Sequence, residues 1–293
     1  MKNISNEQHH AHPAVSASGL KLIDRSPAHY WARYRDLNRA PSSSTPAMEM
    51  GTAIHSAVLE PKDFEANYVQ KPEGMSFATK EGKAWKAALP DELKILTTDE
   101  YHAATNIASI AMKNKKFSSL VNNPLAEAEK SLFFSFIIKN ESEEGAEIEC
   151  KIRPDLSVLP CNEYPNGIII DVKSTEDARS LEFGRSIMKY QMLIQAAFYV
   201  DGFQAVYETE SAPEFAWFAF EKLPPYANKL YFATEAMLDY GREEYKRLLA
   251  VYVECDKSGV WPAYGDDPED ADLPEWAWKI IEGDNEKVEI VYE

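Results

Sequence analysis

Seven residues in the second half of the chain, Gly167-Ile-Ile-Ile-Asp-Val-Lys173, constrain the fold more than any other stretch. An apolar run this short and this rich in β-branched side chains reads as a strand covered on both faces. Side chains alternate along a strand, so Asp171 and Lys173 leave from one face while Val172 enters the core on the other. Such a strand needs helices on both sides of its sheet. Helical patterns are legible over 16–34 as a pair, with Ser18 capping the first helix and Ser26-Pro27 opening the second, and over 48–59 ahead of Pro61. Others cover 100–122, 181–199 and 226–253. Strands are expected over 131–138, 146–152 and 214–221, with 140–145 as the hairpin loop between the first two. Residues 39–46 read as a linker, and 62–100 show no clear period. The order of elements gives an α/β (α+β) core, a central mixed sheet flanked by helices.

The 293 residues are 45% hydrophobic, enough for a substantial core and too many for a disordered chain. Lys plus Arg total 31 against 48 Asp plus Glu, and a net charge of −17 argues against an indiscriminate nucleic-acid coat while leaving room for a local basic groove. The imbalance is uneven: residues 254–293 hold 13 carboxylates and 3 lysines, whereas residues 1–46 hold six basic and three acidic side chains. Lys71, Lys80, Lys83 and Lys86 add a second basic stretch, so a polyanion is expected to approach from that side. The acidic residues of 266–272 form either a solvated loop or a DNA-mimicking segment that shields a basic channel or a partner surface. Cys150, Cys161 and Cys255 are too few for a four-thiolate cluster and give no disulfide framework. No apolar run approaches the length of a membrane span, and the polar start lacks a signal peptide's apolar stretch, so a soluble, cytoplasmic protein is expected.

Asp155 follows a predicted strand, and Asp171-Val172-Lys173 ends the next. Two carboxylates and a lysine then converge at a sheet edge. Hard divalent cations such as Mg²⁺ take oxygen ligands, and Asp155, Asp171 and the Val172 carbonyl would form one side of an octahedral site. Lys173 would orient or deprotonate the attacking water and offset phosphate charge. A bare D-x-K match is more often an ion pair on an exposed strand end. Gln195 and Tyr199, four apart, share a helical face, either as support for the site and a contact to phosphate or as a half-buried amphipathic stripe.

Taken together these residues resemble the PD-(D/E)xK nucleases, particularly the branch of phage-type exonuclease VIII (RecE) and the RecB nuclease domain. The resemblance uses Gly51-Thr-Ala-Ile-His55, Pro154-Asp155, Asp171-Val-Lys173 and Gln195-Ala-Ala-Phe-Tyr199, in the family's order, over roughly residues 16–253. Ser16-Ala-Ser18 and Ser26-Pro-Ala-His-Tyr30 are similar to the opening of exonuclease VIII-like domains. It implies a restriction-endonuclease-like fold and metal-dependent phosphodiester hydrolysis, with His55 as a metal-side ligand beside Asp155, Asp171 and Val172. By residue type alone, His55 on its Ala-rich helix is more often a packed, hydrogen-bonded side chain. Glu129 either matches the acidic residue ahead of the first core strand or is a surface carboxylate. The terminal cysteine set of iron–sulfur members and the helicase segment of RecB are absent from the sequence.

The resulting expectation is a single nuclease domain over residues 1–253, its core at about 125–253 with an N-terminal helical elaboration, followed by an acidic segment over 254–293. The expected activity is a Mg²⁺-dependent exodeoxyribonuclease, with Mn²⁺ as substitute, that digests linear duplex DNA 5′ to 3′ and leaves single strands for a phage-type annealing protein. A homo-oligomer, as a ring with a basic lumen, would explain how an acidic protein retains DNA. Lys80, Lys83, Lys86 and Gln191 are the expected DNA contacts. The alternatives are a structure-specific or single-strand nuclease on the same fold, and a catalytically idle DNA-binding module.

Overall fold

A computed structural model describes residues 4–39, 45–139 and 145–282 of the protein. Helix α1 (Asn6–Ala11) is closed by a capping box between Ser5 and Gln8. The cap of α2 (Ala17–Arg25) is Ser16 rather than Ser18: Ser16 has the extended backbone a cap requires and accepts from Gly19 N, whereas Ser18 lies inside the first turn. Pro27 opens α3 (Pro27–Tyr30) as expected, but the Ser26 hydroxyl pairs with the His29 ring instead of a backbone N–H. A π-helical turn over Trp31–Arg35 follows. Of the expected linker, 40–44 lie outside the described residues. Thr45 caps α4 (Pro46–Leu59), and α5 (Pro61–Asn67) follows it directly. The stretch without a clear period is a small lobe, in which β1 (Tyr68–Gln70) and β2 (Lys94–Leu96) pair in parallel and α6 (Lys80–Ala87) connects them. The helix expected over 100–122 is two, α7 (Thr98–Ala111) and α8 (Lys115–Val121), because Asn114 caps a new start.

Then come β3 (Ala126–Ala128), the hairpin of β4 (Leu132–Ile138) and β5 (Ala146–Ile152), β6 (Leu156–Val158) and β7 (Ile168–Thr175). Five residues of the hairpin loop, 140–144, lie outside the described residues. Two expectations are corrected beyond this point. The helix over 181–199 is α9 (Ser180–Lys189) and α10 (Met192–Tyr207), separated where Gln191 adopts a left-handed backbone with φ 50°. The helix over 226–253 starts later: β8 (Glu214–Glu221) pairs antiparallel with β9 (Asn228–Phe232), and only then does α11 (Glu235–Ser258) begin. A free β8 edge has N–H and C=O groups to satisfy, and that demand overrides the local helical pattern.

The five-stranded sheet has the order β3-β6-β7-β8-β9, with β7 and β8 its only parallel pair. Ile168, Ile170 and Val172 of β7 share a buried cluster with Ile54 and Val58 of α4, Ile107 of α7 and Phe117 of α8. Phe117 lies flat on Phe218 with ring centroids 3.7 Å apart. Ile169 belongs to the other cluster, with Trp217, Leu20 of α2, Phe134 of β4, Phe198 of α10 and Leu249 of α11. The strand is thus covered on both faces, and the fold is the expected central mixed sheet flanked by helices. Beyond α11, Trp261 stacks on Tyr30 at 5.4 Å, and the Pro262 carbonyl accepts from Ala28 N at 3.0 Å. The chain is therefore fastened to α3 before the acidic stretch, which has no regular structure until α12 (Glu275–Glu282). Among the described residues no helix is long and apolar enough to cross a membrane.

Candidate active site

The site is built where two strands part. Pairing between β6 and β7 stops at Ile170, while β7 and β8 continue together to Thr175. Asp155, one residue before β6, fills the gap: its Oδ2 accepts from Val172 N at 2.6 Å. A strand residue presents its N–H and C=O to the same edge, so the Val172 carbonyl faces this open edge as well. Asp171 projects from the opposite face to Val172's side chain, beneath α10, and is 1% exposed. Its Oδ1 accepts from Lys173 Nζ at 2.7 Å and Gln195 Nε2 at 2.9 Å. Its Oδ2 is buried with no hydrogen-bond partner. A buried carboxylate oxygen without a partner is costly, and a cation is the partner that would relieve the cost.

Helix α4 buries Ile54 and Val58 in the core and turns His55 toward the same place. The His55 Nδ1 lies 3.6 Å from Asp155 Oδ1 and 4.0 Å from Glu129 Oε1. Ligand atoms of His55, Glu129 and Asp155 all lie within 4.8 Å of one another. Glu129 is thus part of the cluster, with its side chain only 25% exposed. Its backbone is left-handed at φ 49°, a conformation that costs a non-glycine residue on the order of 1 kcal/mol or more. Its N–H donates to the Asp155 carbonyl at 3.1 Å, and Arg153 Nε donates to its Oε2 at 2.9 Å. Two carboxylates and one imidazole form a donor set suited to a divalent cation, with the Asp171 carboxylate and the Val172 carbonyl on the adjoining strand. Of the expected ligands, His55 and Asp155 are brought together, joined by Glu129, while Asp171 and Val172 stand beside them on β7, where Val172 N bonds Asp155.

Burial pushes the Asp171 carboxyl up, and the adjacent Lys173 works against that shift. Burial also disfavours the Lys173 charge, but Asp171 and Asp155 outweigh it and hold the ammonium above its ordinary range. The Glu129 carboxyl is raised by burial and by Asp155, with Arg153 opposing. Burial raises the Tyr199 phenol, whose hydroxyl donates to the Arg153 carbonyl at 3.4 Å.

His55, Glu129, Lys173 and Tyr199 line a cavity of about 990 Å³ between the N-terminal helices and α4–α5, and the buried Asp171 is not part of its lining. Arg33, Lys94, Lys151, Arg153 and Lys173 line it. Lys80, Lys83 and Lys86 do not; they lie on the exposed surface of α6. Gln191 also lies away from it, donating to the Asp24 carboxylate. Lys151 and Arg153 were missed by sequence reasoning, although their spacing of two, at the end of β5 and one residue past it, signals a shared face. Lys151 Nζ donates to the carbonyls of His9 at 2.5 Å and His12 at 2.6 Å, and Arg153 Nη1 to those of Ile4 at 3.1 Å and to Ser131 Oγ at 2.7 Å. Together they fasten α1 as one wall of the cleft.

Residues 16–272 match the family model described as a PDDEXK-like domain of unknown function (DUF3799). The chain belongs to this family. A crystal structure of a candidate exonuclease from Eubacterium rectale superposes on this PDDEXK-like chain with a TM-score of 0.62, at 12% identity, over 97% of this chain and 100% of that one. The shared architecture is the restriction-endonuclease-like fold of the PD-(D/E)xK superfamily. A second crystal structure, of SSO0001, aligns with a TM-score of 0.28 at 16% identity over 68% of this chain and 86% of that one. None of the curated protein sequences compared with the chain matches it.

Proposed function

We propose that the protein is a divalent-metal-dependent exodeoxyribonuclease that hydrolyses linear duplex DNA from 5′ to 3′. The observation that carries the reading is the open edge of β7, where Asp155 meets His55 and Glu129 beside the Asp171–Lys173 pair and one Asp171 oxygen is left without a partner. His55, Glu129, Asp155, Asp171 and the Val172 carbonyl are the residues that would hold the metal, Mg²⁺ with Mn²⁺ as substitute. When bound, the ion supplies an acidified water and neutralises phosphate charge. Lys173, held as an ammonium by its carboxylate neighbours, orients the water and offsets charge on the phosphate rather than taking a proton. Gln195 holds one Asp171 oxygen and leaves the other, without a partner in the protein, as the one that would serve a metal, and Tyr199 braces the turn that carries Arg153 and Asp155.

Duplex specificity, polarity and delivery of single strands to an annealing protein rest on the resemblance to exonuclease VIII, as do a ring-shaped homo-oligomer and a cytoplasmic setting. The same reading takes residues 1–253 as one nuclease domain, with 254–293 as its acidic appendage. An idle DNA-binding module is disfavoured, because such a module gains nothing from a buried carboxylate oxygen without a partner. Digestion of duplex labelled at either end, with closed circular DNA and single strands as comparisons in Mg²⁺, is the test. Progressive loss of the 5′ label from linear duplex alone is expected. Cutting of circles, a preference for single strands, or no cleavage in Mg²⁺ or Mn²⁺ would each overturn the proposal.

A further inference from the structure

Helix α10 brings Gln195 and Tyr199 to the site, yet its start is abrupt. Gln191, immediately before the first turn, has φ 50° and makes no side-chain cap. A left-handed non-glycine residue persists only where its surroundings over-determine it. Here the surroundings come from α2, far away in sequence. Lys21 Nζ donates to the Tyr190 carbonyl at 2.9 Å. Three residues along the same helix face, Asp24 accepts the Gln191 side-chain amide on one oxygen. Arg247 of α11 donates to the other at 2.6 Å. Both residues of the turn are thus gripped by neighbouring side chains of α2, and α11 fixes the grip from behind.

One helical turn beyond Gln191 stands Gln195, whose amide reaches Asp171 Oδ1 at 2.9 Å. A small rotation of α10 about its start would break that bond, because the whole first turn moves with it. Lys21 also lies within electrostatic reach of the reaction centre: burial lowers its ammonium to about 8, with Asp171 opposing the shift and Lys173 adding to it. We propose that Lys21 and Asp24 are positioning residues, which lock the Tyr190-Gln191 turn so that α10 presents Gln195 to Asp171. Gln191 then belongs to this clasp and not to a DNA contact. The inference rests on the reading of Asp171 as a metal ligand of a nuclease.

The test is a set of double-mutant cycles in the full chain, pairing Lys21→Met or Asp24→Ala with Gln195→Ala. Four quantities are read: the Mn²⁺ dissociation constant by calorimetry without DNA, the single-turnover cleavage rate, the KM for DNA, and the melting temperature. Lys21→Met is expected to weaken Mn²⁺ binding and slow cleavage by roughly tenfold each, as for other groups that orient metal ligands. The KM for DNA should stay unchanged, and Lys21→Arg, which keeps a donor, should recover most of the loss. In the Gln195→Ala background neither α2 substitution should add to the defect, since both act through the same side chain. Fully additive losses, or an unchanged Mn²⁺ affinity in both single variants, would overturn the proposal. If Lys21→Met fails to fold, the exposed Asp24→Ala carries the cycle alone. A wild-type protein that binds Mn²⁺ without cutting DNA would refute the nuclease reading, while the Mn²⁺ cycle would still decide the positioning role.

Discussion

Asp171 has one oxygen held twice and the other held by nothing in the protein, and the two halves of that statement predict different phenotypes. Asp171→Asn keeps the shape and removes the charge, so Mn²⁺ affinity should fall by more than the roughly 10- to 100-fold loss typical of residues that only support ligands. Lys173→Ala should leave Mn²⁺ binding near wild type, because it removes a competing cation, and should slow single-turnover cleavage by about 10²- to 10⁴-fold. Calorimetry and quenched-flow assays on the two variants separate these outcomes. His55→Ala should raise the Mn²⁺ requirement with an unchanged melting temperature; a lower melting temperature with unchanged metal dependence would return His55 to a packing role. The Asp171 and Lys173 pair was legible because strand alternation alone puts them on one face. Glu129 was half legible, since its place depends on a left-handed turn that no local pattern announces.

At the scale of elements, buried strands and isolated helices could be read from sequence, and the junctions could not. Tyr190-Gln191 contains neither Gly nor Pro, and its turn is imposed by α2 side chains more than 160 positions away. Strands β3 and β6 are three residues each, too short to show alternation. The packing of α10 on α11 offers a direct test at Gly241. A Cβ there would sit 2.2 Å from the Leu193 carbonyl oxygen and 2.8 Å from its carbon, backbone atoms that cannot swing aside. Gly241→Ala should therefore push the helices apart and cost about 1–3 kcal/mol, seen as a shift in the urea midpoint. Helix α1 offers another. Its buried His9 has its pKa lowered to about 3, first by burial and then by Lys151 and Arg153. The unfolded chain takes up a proton near pH 6.5 that the folded one refuses, so stability is present above pH 6.5 and is lost as pH falls toward 3. The slope is about 1.4 kcal/mol per pH unit within that window. Urea unfolding at several pH values should show this slope, and His9→Gln should flatten it.

At the scale of the whole molecule, the basic stretches legible in the sequence contribute only Arg33 to the cations that line the cleft. Arg33 and Lys94 line it, and Lys80, Lys83 and Lys86 stand apart from it. Affinity for DNA in Ca²⁺, measured at several salt concentrations, should lose about one to two units of log–log slope in the Arg33→Ala, Lys94→Ala double variant. The triple replacement of Lys80, Lys83 and Lys86 should change it less. Clefts of this kind also have a history within each synthesis. The N-terminal wall is made first, but its fastenings arrive late: His9 waits for Lys151, 142 positions on, and Asp24 waits for Arg247, 223 positions on. Ala28 waits later still, for Pro262. While the chain is on the ribosome, Leu20 and Ile23 have no α11 to cover them, and the turn that aims Gln195 has no clasp backed by Arg247. On the nuclease reading, the site reaches its full activity only after Arg247 has been made, late in the assembly of the cleft that holds it.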